Sequence, residues 1–160
     1  MKNTKPNFFI IGAPKCGTTS WSQWLGDHPQ IYMSPRKELH YFNTDENHKV
    51  ALTLESYERL FSGKRDCHAI IAEASVWYFH SRAAVPNIEN YSPGAKYMVC
   101  LRNPVEMAYS LHNQQVVNGN EHINDFRNAW ALSDERLKGK SASWFCREPV
   151  HLAYGSACKL

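Results

Sequence analysis

Four consecutive apolar residues, Phe8-Phe9-Ile10-Ile11, run into a glycine-bounded stretch from Gly12 to Gly17, and beyond it Trp21, Trp24 and Leu25 recur at helical spacing. An unbroken apolar run of this length suits an inner strand of a parallel sheet, so a strand over 8–11 and a helix over 18–26 are expected. The strand-to-helix pattern returns at Lys96 to Leu101, followed by Val105, Ala108, Leu111 and His112. It predicts a strand over 97–101 and a helix over 104–117, with Asn103 as N-cap and Pro104 at the first helical position, where its missing N–H costs nothing. A third apolar run, Ile70-Ile71-Ala72, predicts a strand over 69–73. Leu54, Tyr57 and Phe61 line one face of a helix over 54–61 that Ser62-Gly63 ends. After the turn Asn118-Gly119-Asn120, Ile123, Phe126 and Trp130 give another buried face over 124–133. The polar stretch 42–50 reads as a loop, 138–143 as an exposed linker, and 151–160 as the beginning of a helix.

Composition narrows the class without choosing a function. With 160 residues, 43% of them hydrophobic and 12% aromatic, the chain can build one sizeable core, and a single domain is expected. Lys plus Arg is 18 and Asp plus Glu 15; a net charge of +3 is too small to imply nucleic acid or an acidic membrane as partner. No apolar run approaches a membrane span and no signal-peptide pattern precedes the first strand, so a soluble cytoplasmic protein is expected. The five cysteines, Cys16, Cys67, Cys100, Cys146 and Cys158, show no C-x-x-C spacing, and the eight histidines no metal-ligand spacing. Neither a disulfide framework nor a metal site is indicated, and Cys67 and Cys100 are expected in or beside buried strands.

The chemistry begins in the first loop, Gly12-Ala13-Pro14-Lys15-Cys16-Gly17-Thr18-Thr19. A strand feeding a glycine-bounded bend and then a helix directs loop amides and the positive helix end at one point, which stabilises an anionic group. The glycine spacing matches the start of a Walker A loop, but Thr18 stands where the Walker lysine belongs and the lysine comes earlier, at Lys15. A cation beside the bend suits a phosphate whose bridging oxygen leaves during reaction. At the end of the strand over 97–101, Arg102 falls where open α/β sheets bind their ligands. Ser110 follows on the same helix face as Asn103, roughly 10 Å along the axis, and arginine with a hydroxyl suits a second phosphate.

Four segments together resemble sulfotransferases that use 3′-phosphoadenosine-5′-phosphosulfate (PAPS). The first loop has the form of their 5′-phosphosulfate loop, which implies nucleotide contacts from Ala13, Pro14, Lys15, Cys16, Gly17, Thr18 and Thr19. Arg102-Asn103-Pro104-Val105-Glu106-Met107-Ala108-Tyr109-Ser110 resembles the family's R-[N/D]-P-x-x-R-A-x-S, whose first arginine and serine bind the 3′-phosphate; Met107 departs from it, where the family has arginine. Lys37-Glu38-Leu39-His40-Tyr41-Phe42 resembles the K-E-x-H-[F/Y]-F segment of glycosaminoglycan-type and bacterial members. That likeness implies Glu38 as general base, Lys37 beside it and His40 in reserve. Glu73-Ala74-Ser75 and Tyr78 resemble G-E-[K/A]-S-x-x-Y, which implies that Glu73, Ser75 and Tyr78 border the acceptor cleft. Ala74 replaces a lysine common in the heparan sulfate enzymes, which argues against a heavily sulfated polysaccharide acceptor.

The resemblance implies an α/β fold of three layers, α/β/α, around a central parallel sheet like that of P-loop NTPases. It also implies PAPS as donor, 3′-phosphoadenosine-5′-phosphate (PAP) as product, no metal, and a carbohydrate or other small-molecule acceptor. The family's lid motif, G-x-x-x-K-G-x-x-x-x-H, is absent, so the sequence is expected to hold about the first two-thirds of a domain truncated at its C-terminus. Two other readings stay open. A nucleoside or small-molecule kinase would share the loop but should place lysine directly before the Ser/Thr. A non-catalytic remnant would bind PAP without turning over an acceptor.

Overall fold

The computed structural model describes residues 5–46, 52–140 and 152–154. The chain divides into two compact units, Met1–Leu101 and Arg102–Leu160. In the first, β1 (Phe8–Gly12), β2 (Ile31–Met33), β3 (Ile70–Ala74) and β4 (Lys96–Val99) form a four-stranded sheet in the order β2-β3-β1-β4. All pairs are parallel, with Phe8 level with Ala72 on one side and Lys96 on the other. Strand alternation sends Phe9 and Ile11 to one face, where they meet Tyr57 and Phe61 at α2 (Leu54–Arg59) and Ile88 of α3 (Ala84–Tyr91). Ile10 turns to the other face and packs with Met33, Met98 and Leu25 of α1 (Thr18–Gly26). Helices therefore cover both faces, as the α/β/α expectation has it. Neighbouring β1 and β3 send their following helices to opposite faces, and such a switch point opens a crevice at the carboxyl ends of the strands.

Several boundaries differ from the sequence reading. β3 begins and ends one residue later than expected, and β4 stops at Val99, leaving Leu101 73% exposed. The short run Ile31-Tyr32-Met33 is a strand, and α3 was not expected at all. Its Pro86 lies in the first helical turn, where no intrahelical hydrogen bond is lost. α2 ends at Arg59, and its Leu54 is exposed while Tyr57 is buried. On α1, Trp21 and Trp24 pack edge to face on each other at the surface and leave Leu25 to meet the sheet. Cys100 is buried as expected; Cys67 is exposed in the turn before β3.

The second unit begins with α4 (Pro104–Val117), whose bounds match the expectation. The Asn103 side chain accepts the Val105 N–H at 3.0 Å, and Ala108, Leu111 and His112 are buried, whereas Val105 is exposed. Met107 is buried too, so an apolar side chain suits that place. The single helix expected over 124–133 is two, α5 (Phe126–Ala131) and α6 (Ser133–Leu137), and Asp125 caps the first by accepting the Asn128 N–H. Trp130 is 40% exposed; Ala129 supplies the buried position instead. Arg136 of α6 is fully buried, paired in bidentate fashion with Glu121 at 2.7 and 3.1 Å and donating to the Leu152 carbonyl. Among the described residues no helix is long and apolar enough to cross a membrane. The polar loop over 42–50 is described to Glu46 and the linker over 138–143 to Lys140. Cys146, Cys158 and most of the helix start expected over 151–160 lie outside the described residues.

Candidate active site

The loop after β1 is fixed at both ends. Ala13 N–H donates to the Cys100 carbonyl at 2.9 Å and Cys100 N–H returns to the Gly12 carbonyl at 2.8 Å, which ties the loop's start to the residue after β4. A Cβ at Gly12 would come within 2.7 Å of Phe79 Cβ and 2.9 Å of the Val76 carbonyl oxygen, so this position needs glycine. At the other end Gly17 caps α1 in the left-handed region, φ 79°, and Lys15 is left-handed as well, φ 62°. Pro14 and Thr18 are buried, Lys15 and Cys16 half-buried, and Gly17 and Thr19 exposed. The first-turn N–H groups of Thr18, Thr19 and Ser20 have no partner within the helix by geometry, and no acidic side chain occupies that turn. Amides, hydroxyls and a half-buried ammonium on one bend make a cradle for an anion.

Glu38 stands at the same edge of the sheet. Its N–H donates to the carbonyl of Ala74, the last residue of β3, at 2.8 Å, so its turn is stitched to the strand neighbouring β1. Oε2 of its carboxylate accepts the Val76 N–H at 3.0 Å and lies 3.3 Å from His40 Nε2, while Oε1 pairs with the Lys37 ammonium. With its side chain 34% exposed, the carboxylate is both held and reachable. Glu38 and His40 each adopt a left-handed backbone, φ 60° and 50°. Non-glycine residues persist in that region only where surrounding bonds over-determine it.

Glu73, Ser75 and Tyr78, which the family resemblance assigns to the acceptor cleft, are fully buried. As they stand they border no open cleft. They are bonded to one another instead: Ser75 Oγ and the Tyr78 hydroxyl both donate to Glu73 Oε1, at 2.8 and 2.7 Å, and the Tyr57 hydroxyl donates to Oε2. Burial pushes the Glu73 carboxyl up to about 7 against these three hydroxyl donors, and the nearby Glu38 charge adds to the rise. Tyr57 belongs to this group although its sequence neighbourhood reads only as helix core. The available signal was its place on a buried face, because a buried tyrosine hydroxyl needs a partner.

In the second unit, Arg102 precedes α4 and its Nε donates to Glu106 Oε2 at 3.0 Å, an exposed pair one helical turn apart. Ser110 is half-buried on α4. An exposed ion pair of this kind contributes little stability, so the guanidinium can exchange partners at small cost. Among the described residues no three His, Cys, Asp or Glu side chains cluster so as to hold a metal ion.

The family model for the sulfotransferase domain matches residues 5–154. The membrane-associated sulfotransferase kil1 of Dictyostelium discoideum is 32% identical over 68% of this chain, and the bifunctional heparan sulfate N-deacetylase/N-sulfotransferase 4 of Mus musculus is 33% identical over 69%. The chain spans 22% and 13%, respectively, of the length of those two proteins. Carbohydrate sulfotransferase 15 of Rattus norvegicus is 32% identical over 66% of this chain, which spans 26% of it. In the crystal structure of a sulfotransferase from Alicyclobacillus acidocaldarius, 67% of the chain superposes on 97% of this one, with a TM-score of 0.80 and 32% identity.

Proposed function

The chain belongs to the sulfotransferase domain family, and from that premise we propose that it moves a sulfuryl group from PAPS to a hydroxyl or amine of a carbohydrate acceptor. The observation that carries the reading is the pairing of two features at the carboxyl ends of adjoining strands. One is a lysine-bearing anion cradle after β1; the other is a held but reachable carboxylate bonded to the end of β3. A kinase reading is weaker, because Thr18 occupies the position where a kinase loop carries its lysine.

In the proposed reaction the bond between sulfur and the bridging oxygen of the phosphosulfate breaks as a bond from sulfur to the acceptor oxygen or nitrogen forms. The acceptor proton passes to the Glu38 carboxylate. Lys15 neutralises the charge that develops on the departing phosphate oxygen, and Gly17, Thr18 and Thr19 hold that phosphate through their amides and hydroxyls, with Ala13, Pro14 and Cys16 shaping the bend around it. Arg102 and Ser110 take the 3′-phosphate, the group that separates PAP from ADP. Lys37 accompanies the base and His40 stands in reserve. A carbohydrate acceptor is supported by the heparan sulfate and carbohydrate sulfotransferases among the relatives.

The test is transfer of radiolabelled sulfate from PAPS to N-desulfated heparan sulfate oligosaccharides, run beside other carbohydrates. Lys15→Ala should lower turnover by about a hundredfold or more, the effect of removing a group aimed at developing charge. Glu38→Gln should lower it by roughly 10²- to 10⁴-fold while leaving PAP affinity unchanged. Normal turnover in either variant refutes the role given to that residue.

A further inference from the structure

We propose that Glu73 is a positioning residue for the Glu38 turn: through the hydroxyls of Ser75 and Tyr78 it holds the main-chain N–H groups of His40, Tyr41 and Phe42. The proposal rests on the reading of Glu38 as the base, and it gives the buried carboxylate a task that the reaction itself does not.

A hydroxyl has one hydrogen to give and two lone pairs to receive. Ser75 Oγ accepts the His40 N–H at 3.2 Å, and the Tyr78 hydroxyl accepts the Tyr41 N–H at 3.0 Å and the Phe42 N–H at 3.4 Å. Each hydroxyl therefore has its own hydrogen left for Glu73 Oε1, which receives both. One carboxylate oxygen thus orients two hydroxyls, and the two hydroxyls receive three successive backbone amides. Those amides begin at His40, two residues past Glu38 and itself left-handed, so the bonds fall where the backbone is strained. The alternative conformation, a relaxed turn, would release the Glu38 carboxylate from the Val76 N–H that aims it. Glu73, Ser75, Tyr78, His40 and Phe42 are buried and Tyr41 is half-buried, so a relay hydroxyl that is removed leaves amides with little access to water.

Oε1 acts only as an acceptor, whereas Oε2 meets a single hydroxyl, that of Tyr57, which can give or receive. An amide oxygen in the place of Oε1 would serve the relay equally well. This separates the consequences of substitution: Glu73→Gln keeps the relay and Glu73→Leu removes it at similar volume.

Amide hydrogen exchange on the full chain reads the relay directly, with the amides of β1 as the reference for global stability. Ser75→Ala should speed exchange at His40 alone, Tyr78→Phe at Tyr41 and Phe42, and Glu73→Leu at all three, each by about tenfold or more; Glu73→Gln should leave them protected. Should Glu73→Leu not fold, the two relay variants still decide the matter. In the transfer assay with N-desulfated heparan sulfate oligosaccharides, Glu73→Leu should lower kcat with the PAP dissociation constant unchanged, and Glu73→Gln should restore most of it. Exchange that rises uniformly through the chain, or a PAP affinity that falls in step with kcat, would overturn the proposal. A wild-type chain that transfers no sulfate would count against the proposed function, while the exchange pattern would still decide whether Glu73 holds the turn.

Discussion

Glu73 at the end of β3 and Glu121 after α4 are both withdrawn from water, yet their surroundings treat the charge in opposite ways. Glu73 receives hydroxyls from Tyr57, Ser75 and Tyr78, and burial outweighs them, so its carboxyl rises to about 7. For Glu121 burial also raises the carboxyl, but the Arg136 guanidinium, the Ile123 N–H and the Tyr154 hydroxyl outweigh it, and the result lies below the ordinary value. Three hydroxyl donors satisfy geometry without cancelling charge; a bidentate guanidinium does both. The contrast separates two uses of a buried carboxylate. In the second unit it fastens α6 and the Leu152–Tyr154 segment. In the first it organises hydroxyls behind a turn that carries a candidate base.

Removing the cation is the strongest way to break the contrast. Arg136→Met leaves Glu121 with the Ile123 N–H, the Tyr154 hydroxyl and the exposed His122 ring 3.8 Å away, without its bidentate cation, and should cost about 3–5 kcal/mol in urea unfolding near neutral pH. It should also reverse the sign of that glutamate's pH dependence. In the native chain the Glu121 contribution is present above the unfolded value and lost as pH falls through the folded one. Amide protection in α6 that is unchanged in the variant would mean the pair does not fasten the unit.

The next effect runs the other way. A carboxyl that holds its proton more tightly when folded makes the folded state the better proton binder between about 4.5 and about 7. Stability from Glu73 is therefore present below that window and lost as pH rises through it. The size is on the order of 3 kcal/mol, at about 1.4 kcal/mol per tenfold change in proton affinity. Glu73→Gln should flatten this fall; urea midpoints at pH 5 and pH 8 that drop as far in the variant as in the native chain would contradict it. Smallest is Tyr57→Phe, which removes one donor from Oε2. It should cost roughly 1 kcal/mol and move the window to higher pH, sharpening the difference from Glu121. A window that moves down would refute the donor role of Tyr57.

The sequence showed the chemical types at the site more fully than their sides. Asn103 and Pro104 made the start of α4 legible to the residue, and the bounds expected of α1 hold although Trp21 and Trp24, which marked its spacing, are exposed; the glycines and early lysine between Gly12 and Thr18 pointed to an anion cradle. Glu73, Ser75 and Tyr78 stood out in the sequence too, but a strand end gives no sign of whether a side chain faces a cleft or the interior, and here they face inward. Partners distant along the chain were harder still. Tyr57 meets Glu73 across 16 residues and Arg136 meets Glu121 across 15, separations that no periodicity encodes. The helix α3 was hidden because proline and asparagine signal a break unless their place in the first turn is known.

The proposed transfer requires that the chain recognise a nucleotide by its 3′-phosphate. Calorimetric titration with PAP and with ADP, on the native chain and on Arg102→Ala, tests it most directly. PAP should bind at least about tenfold tighter than ADP, the magnitude of one charge-assisted contact, and the preference should be lost in the variant. ADP bound as tightly as PAP, or a preference for PAP that survives the loss of Arg102, would contradict it.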